Sequence, residues 1–280
     1  MRVRFWGTRG SVPTPGPTTV RYGGNTACVE VETKGGTTFI FDSGTGIREL
    51  GLHLAQQGGH VAAHVMLGHT HWDHISGFPF FTPAFVPGNR LVVYGARDLD
   101  RSLHDVLAGQ MHHTYFPVPL GDLRADIAFV ELGEGEVRIE DAIVRTHYLN
   151  HTAVCMGYRV EADGASVAYI TDHEPYGDGL AQAGDRRLIE FVRGVDLLIQ
   201  DAQYTPEEYF EHRGWGHGSI DYVTDVAVES GARRVALFHH EPTHTDDDVD
   251  RMVEAARGRA RRAGSSIEIF AAAEGHVLTT

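Results

Sequence analysis

Basic charge is what this sequence has least of: 24 Lys and Arg stand against 38 Asp and Glu, a formal net charge of −14 over 280 residues. Nucleic acid is gripped through clustered cationic side chains that neutralise phosphates, so an extended polyanionic substrate is disfavoured and nucleic acid is not an expected partner. The acidic excess itself reads as solvated surface. Cysteine is scarce as well. Cys28 and Cys155 each lie in an apolar strand-like run without Cys-x-x-Cys spacing, which reads as two buried reduced thiols and not as a disulfide or a ligand pair. No stretch approaches the ~18 apolar residues of a membrane span. The opening Met1-Arg2-Val3-Arg4-Phe5-Trp6 moves straight into strand alternation with no signal-type apolar region, so a reducing cytoplasm is the expected compartment and no membrane partner is expected. Repeats, low-complexity tracts and long linkers are missing too. With 42% hydrophobic residues, residues 1–280 read as a single domain able to bury a large core.

What is present begins with short β-rich runs at Val3 to Gly7, Ala27 to Glu32 and Thr37 to Phe41, separated by a Gly/Pro loop over Gly10 to Pro17 and by Gly23-Gly24. Helical spacing covers Ile47 to Gln57, and His64 to Leu67 reads as a buried strand. Residues 75–125 are rich in aromatics and Pro, with a strand at Leu91 to Tyr94 and a helix near Leu99 to Leu107, and read as a cap-like insertion over what precedes them. Further strands are expected at Ala142 to Tyr148, Val154 to Glu161 and Ser166 to Ile170. Strand-helix alternation then closes the chain: Leu197 to Gln200, a helix from Ser219 to Glu229, Arg234 to Phe238, a helix from Asp246 to Arg262, and Ile267 to Phe270. Strands first and alternating units later point to two packed sheets with helices outside.

Directly after the strand ending at Leu67 comes His69-Thr70-His71-Trp72-Asp73-His74. On an extended segment His69 and His71 face one side, while Asp73 and His74 turn toward a neighbouring position as a helix begins. Two metal ions can share such a segment. Imidazole and carboxylate donors suit zinc, and the same set accepts manganese or iron.

This His-x-His-x-Asp-His cluster resembles the signature of the metallo-β-lactamase superfamily, and the resemblance continues along the chain. Phe41-Asp42-Ser43-Gly44-Thr45-Gly46 is similar to an early loop whose Asp supports the metal site without binding metal. Asn150-His151-Thr152, Tyr169-Ile170-Thr171-Asp172 and Leu237-Phe238-His239 match the later ligand motifs in order. The resemblance implies an α/β (α+β) fold, a four-layer αβ/βα sandwich of two mixed β-sheets packed face to face with helices outside. It also implies two divalent metal ions per chain: His69, His71 and His151 on one, Asp73, His74 and His239 on the other, and Asp172 bridging. His239 or its neighbour His240 supplies the last ligand, with His239 preferred because it comes first after the strand. His147, His173 and His244 match no ligand position and read as surface or supporting residues.

Two adjacent metals activate a shared water, which makes hydrolysis the default chemistry, and Asp73 is a candidate both to bind metal and to orient the attacking water. Trp215-Gly216-His217-Gly218-Ser219 and Ile199-Gln200-Asp201-Ala202-Gln203-Tyr204 resemble paired motifs of the superfamily branch that contains tRNase Z and the small cyclic-phosphate phosphodiesterases, with Asp201 where that branch has Glu. A carboxylate and a histidine so paired protonate a departing alkoxide, a poor leaving group. The expected function is hydrolysis of a small phosphodiester, cyclic ones included. Thioester or lactone hydrolysis, tRNA 3′ processing and a non-catalytic metal- or nucleotide-sensing role are the alternatives. Charge disfavours tRNA, as does the short acidic Pro175 to Glu190 segment, which lacks a basic arm. His113, Tyr115 and Phe116 are candidate substrate contacts, with packing in a homodimer interface as the competing role. Arg9 and Asn25 belong either to the site or to its supporting loops.

Overall fold

The computed structural model describes residues 1–97, 100–177 and 182–280. Strands β1 (Arg2–Gly7), β2 (Cys28–Glu32), β3 (Thr38–Phe41), β4 (Ala62–Met66), β5 (Arg90–Ala96) and β6 (Asp126–Leu132) build one sheet. The second takes β7 (Gly135–Ile139), β8 (Ala142–Leu149), β9 (Cys155–Ala162), β10 (Ala165–Ile170), β11 (Leu197–Asp201), β12 (Arg234–Phe238) and β13 (Glu268–Ala271). A last strand, β14 (Val277–Thr279), crosses back to pair with β1. The helices are α1 (Ile47–Gln57), α2 (Trp72–Ile75), α3 (Leu103–Gln110), α4 (Ala183–Phe191), α5 (Pro206–Glu211), α6 (Ile220–Ser230) and α7 (Asp246–Arg262).

The spatial orders are β14-β1-β2-β3-β4-β5-β6 and β13-β12-β11-β10-β9-β8-β7. In the first sheet the pairings are antiparallel as far as β2–β3 and parallel from β3–β4 onward. The second repeats the scheme, antiparallel as far as β9–β10 and parallel from β10–β11 onward. Each sheet therefore has one strand, β3 or β10, at which the sense of pairing changes. Crevices at the carboxyl ends of parallel strands are where open sheets of this kind bind ligands.

Three hydrophobic layers hold the sandwich together. Between the sheets lie Phe5, Phe39, Phe41, Tyr158, Tyr169 and Phe238, with Phe41 stacked on Tyr169 at 5.0 Å between ring centres. Outside the second sheet, Leu188, Val223, Val226, Val249 and Met252 from α4, α6 and α7 cover its far face. On the far side of the first sheet, Leu50 and Leu54 of α1 pack with Phe78, Phe81, Leu103, Leu107 and Leu120. The result is the four-layer αβ/βα sandwich.

Residues 75–125 are not a detached insertion. Their β5 is an interior strand of the first sheet, and Phe78, Phe81 and Leu107 form part of that sheet's outer layer. Part of the aromatic and Pro richness there falls in short 3-10 turns at Phe78–Phe80 and Thr82–Phe85. Helix α3 opens at Leu103 behind its N-cap Ser102, whereas the expected start at Leu99 lies outside the described residues. Strands β6 and β7 went unread because both are sheet edges whose residues are largely half-buried or exposed, which dilutes the hydrophobic pattern. Helix α5, six residues long, is too short to show periodicity. Among the described residues no helix is long and apolar enough to cross a membrane. Both cysteines are buried and free.

Helix α7 has the expected bounds because its ends are chemically marked. Thr245 and Asp248 form a reciprocal capping box, Asp246 to Asp248 load the first turn with negative charge, and Arg259, Arg261 and Arg262 load the last with positive charge. Thr245→Ala should lower unfolding free energy by about 1 kcal/mol in urea titrations while leaving bound metal unchanged.

Candidate metal centre

The backbone is bent hardest where the strands deliver the site. Six described non-glycine residues have φ in the left-handed region: Ser11, Asp42, Glu140, Asp163, Asp172 and His239. Glu140 and Asp163 sit in the tight β7–β8 and β9–β10 hairpins. The other four converge on one cluster. Asp42 follows β3, Asp172 closely follows β10 and His239 follows β12, with φ of 57°, 57° and 61°. Such conformations cost about 1–3 kcal/mol each and persist where the surroundings enforce them.

Two groups of donors meet at the carboxyl ends of the parallel strands. His69, His71 and His151 form one, and Asp73, His74, Asp172 and His239 the other, the donor atoms of each lying within 4.8 Å of one another. His71 Nδ1 is 3.3 Å from His151 Nε2. Asp73 Oδ2 lies 3.1 Å from Nε2 of both His74 and His239. Asp172 faces both groups. Its Oδ1 is 3.9 Å from Nε2 of His69 and of His151, while its Oδ2 is 3.2 Å from His74 Nε2 and 3.4 Å from His239 Nε2. His240 is elsewhere, with Nε2 2.9 Å from the Ala272 carbonyl oxygen, so of the adjacent pair it is His239 that reaches the cluster.

The outward ring nitrogens are occupied, which fixes which nitrogen faces inward. His74 Nδ1 lies 2.7 Å from Asp42 Oδ2, which also accepts from the Tyr169 hydroxyl at 2.6 Å, and Asp42 Oδ1 accepts from Gly68 N–H at 2.7 Å. Asp42 thus supports His74 from behind and touches no other member of the cluster described above. His151 Nδ1 is 2.9 Å from the Gly216 carbonyl oxygen, and His239 Nδ1 is 2.9 Å from Gln203 Oε1. Cys155 Sγ sits 3.8 Å from His69 Nδ1. With these partners accepting, each Nε2 is left as the donor atom for a cation. Ser11 N–H donates to Asp73 Oδ2 at 2.7 Å. Two glycines make room for the rings: a Cβ at Gly10 would lie 2.4 Å from His239 Nδ1, and one at Gly216, where φ is +87°, 2.1 Å from His151 Nδ1.

The donor set fits divalent metal ions. Nε2 of His69 is buried without a hydrogen-bond partner, an arrangement that is costly unless a ligand meets it, and Nε2 of His74, 3.1 Å from Asp73 Oδ2 and 3.2 Å from Asp172 Oδ2, faces two carboxylates without a well-directed hydrogen bond to either. Burial, and the neighbouring imidazoles after it, hold His69 well below the usual histidine pKa, leaving it neutral as a ligand must be. Burial also lowers His71 and His151. Burial alone would lower His74 too, but Asp73, Asp172 and Asp42 outweigh it and raise the pKa well above normal. Three carboxylates around one buried imidazole mark a site that calls for positive charge.

Beside the cluster lies a second constellation. His217 Nδ1 is 2.9 Å from Asp201 Oδ2, and Asp201 Oδ1 accepts from Gln203 N–H at 3.0 Å. The His217 ring stacks on His239 with centres 5.1 Å apart, and its Nδ1 is 3.6 Å from Asp172 Oδ1. Burial would lower the His217 pKa, but Asp201 outweighs it and raises it to about 9. Asp201, His217 and His239 also converge closely enough for a cation, yet both Asp201 oxygens are already engaged. The N-cap of α6 is Ser219, so His217 is not spent on capping.

Other sequence candidates fall outside the cluster. Tyr115 is 73% exposed and packs against His112, which also meets His113, while Phe116 packs edge-on against Phe80. His147 pairs with Glu134, His173 with Tyr222 and His244 with Glu208. Arg9 is fully buried and donates to the carbonyls of Gly23, Glu241 and His244, a loop-tying role, while Asn25 is held by Glu274. Sequence reading missed Ser11, Gln203, Tyr169 and Gly216, since residues that act through a backbone group or a supporting hydrogen bond carry no spacing signal. For Gly216, its place two residues before the Gly218 of the His217 motif is the one available hint.

A family model described as the β-lactamase superfamily domain matches residues 37–240, which contain every donor of both groups. The chain belongs to that superfamily. Ribonuclease Z of Bacillus mycoides is 22% identical over 303 residues, with 92% of this chain and 94% of the relative covered. A diphosphatase of the PhnP family superposes with a TM-score of 0.69 at 18% identity, covering 100% of this chain and 97% of its own. The short form of human tRNase Z gives 0.67 at 18% identity, covering 100% and 99%. These superfamily relatives lie in the tRNase Z and PhnP branch, and family and donor set together support a metal-dependent hydrolase.

Asp42→Asn keeps the shape but replaces the charged acceptor behind His74, so chelator competition should show metal affinity weakened by roughly 10–100-fold. Gly216→Ala should weaken it as well, through displacement of His151. Unchanged affinity in both would contradict the orienting roles of Asp42 and Gly216.

Proposed function

We propose that this chain is a phosphodiesterase that uses two divalent metal ions, zinc being the expected pair, to hydrolyse a small phosphodiester, cyclic substrates included. His69, His71 and His151 would hold one ion and Asp73, His74 and His239 the other, with Asp172 between them. Ions bound there supply an activated water at neutral pH and stabilise charge on the attacked group. The remaining steps belong to the chain's own side chains. Asp73, its Oδ2 fixed by Ser11 N–H, orients the attacking water as well as binding metal.

The observation that carries the phosphodiester reading is the Asp201–His217 pair. Asp201 binds Nδ1 and so leaves Nε2–H as the proton that His217 can give to a departing alkoxide. With its pKa raised to about 9, the ring carries that proton at neutral pH. Acyl substrates with thiolate leaving groups need no such donor, which makes thioester hydrolysis the weaker reading, whereas a lactone releases an alkoxide and would use the same donor. tRNA 3′ processing is supported by the end-to-end match to ribonuclease Z and opposed by the net charge of −14. The segment between β10 and β11 carries the helix α4, and residues 178–181 within it lie outside the described part.

His217→Ala should retain bound metal and lower turnover of a phosphodiester with an alkoxide leaving group by roughly 10²–10⁴. Hydrolysis of bis(p-nitrophenyl) phosphate, whose leaving group needs no proton, should fall far less. Equal losses on both substrates would remove the general-acid assignment. A screen of cyclic nucleotides, dinucleotides, thioesters and a 3′-extended tRNA separates the competing substrates.

A further inference from the structure

Of the three tryptophans, Trp6 is 7% exposed, while Trp72 and Trp215 are 71% and 60% exposed. Large indoles are costly to leave in water and are mostly buried in folded chains. Both exposed ones are attached to the metal-site framework. Trp72 stands between His71 and Asp73 at the start of α2, its turn closed by His74 N–H to His71 oxygen at 3.0 Å and Ser76 N–H to Trp72 oxygen at 2.8 Å. Trp215 precedes Gly216, whose carbonyl oxygen meets His151 Nδ1 at 2.9 Å, and follows Gly214. The Glu174 carboxylate grips both sides of it, accepting from Gly214 N–H at 2.7 Å and from Gly216 N–H at 2.9 Å. The Trp215 ring rests edge-on against His212, with centres 4.7 Å apart.

The two indoles are therefore held on pinned backbone, not on loose loops. They are also linked through the site. His71 Nδ1 lies 3.3 Å from His151 Nε2, and the other nitrogen of His151 meets the Gly216 carbonyl, so Trp72 and Trp215 are the chain neighbours of the residues at the two ends of this line of contacts. A Trp carried on fixed backbone offers a wide apolar face with only two side-chain torsions to order. Placed around a hydrolytic centre, it suits a planar π-system on the substrate.

We propose that Trp72 and Trp215 form the recognition rim of the site and select substrates bearing a nucleobase, so that the small phosphodiester is one of a nucleoside. This rests on the phosphodiesterase reading for the substrate's name, but the rim itself is a binding claim that can be read without turnover.

Intrinsic fluorescence of the purified, metal-loaded chain provides that reading, with AMP as the probe and ribose 5-phosphate as its counterpart lacking the base. AMP should quench saturably and bind more tightly than ribose 5-phosphate. Trp72→Ala and Trp215→Ala should each weaken AMP binding, followed calorimetrically, by roughly ten- to a hundredfold, with ribose 5-phosphate changed much less. Trp→Phe at either position should recover most of the loss, which a merely structural defect would not. In kinetics the same variants should raise KM for a nucleoside cyclic phosphate more than they lower kcat, and more than they affect glycerol cyclic phosphate. If AMP and ribose 5-phosphate bind alike, or the variants shift both equally, the rim is wrong even where phosphodiesters are hydrolysed. If ring-dependent binding holds but no phosphodiester is turned over, the substrate reading fails and the rim stands. Should the wild type be a dimer in sedimentation that either Trp→Ala variant dissociates, the indoles belong to a subunit interface and the proposal is overturned.

Discussion

The Asp172 carboxylate turns one oxygen toward His69 and His151 and the other toward His74 and His239. A carboxylate shared between two groups of imidazoles ties together two half-sites, each of which draws its donors from both sheets. His69, His71, Asp73 and His74 follow β4 of the first sheet, whereas His151, Asp172 and His239 follow β8, β10 and β12 of the second. Burial would push the Asp172 pKa upward, but the surrounding histidines outweigh it and hold the carboxyl well below the usual range. If the two sheets shifted against each other, this shared contact would be the first to fail. The aromatic layer between them, with Phe41 on Tyr169 and Tyr169 against Phe238, keeps them in register.

The sheets repeat one scheme, and the repeat explains the placement of two aspartates. Asp42 and Asp172 both follow the strand at which antiparallel pairing becomes parallel, and both have φ of 57°. One has become the bridge between the donor groups. The other stands behind His74, its Oδ2 shared with the hydroxyl of Tyr169 on β10. The supporting residue of one sheet is thereby tied to the strand that delivers the bridge from the other. No similarity in residues accompanies this repeat, which is why it was invisible in the sequence.

Much of the centre was legible because its residues occur at strand ends in a dense pattern. His69 to His74 stood out as a candidate metal site by spacing, His151, Asp172 and His239 were placed by the family resemblance, and the fold brings these residues together. The ends of α7 and β12 were readable for a similar reason, since caps and apolar runs mark them locally. What escaped was carried by long-range geometry. The edge strands β6 and β7 have only diluted alternation, residues 75–125 looked like a cap because β5 sits among turns, and Ser11, Gln203 and Gly216 act through contacts that only the folded chain creates. Even Cys155, read as a plain core thiol, lies against His69.

Proton transfer and ligand binding meet at His217, whose ring stacks on His239 while Asp201 holds its Nδ1. In the proposed function His217 would act as general acid beside donor groups that Asp172 holds together. A crystal soaked in zinc and measured at the zinc absorption edge tests this most directly. Two anomalous peaks per chain are expected, one on the His69–His71–His151 side of the Asp172 carboxylate and one on the Asp73–His74–His239 side. A single peak at saturating zinc, or two peaks neither of which contacts Asp172, would contradict it.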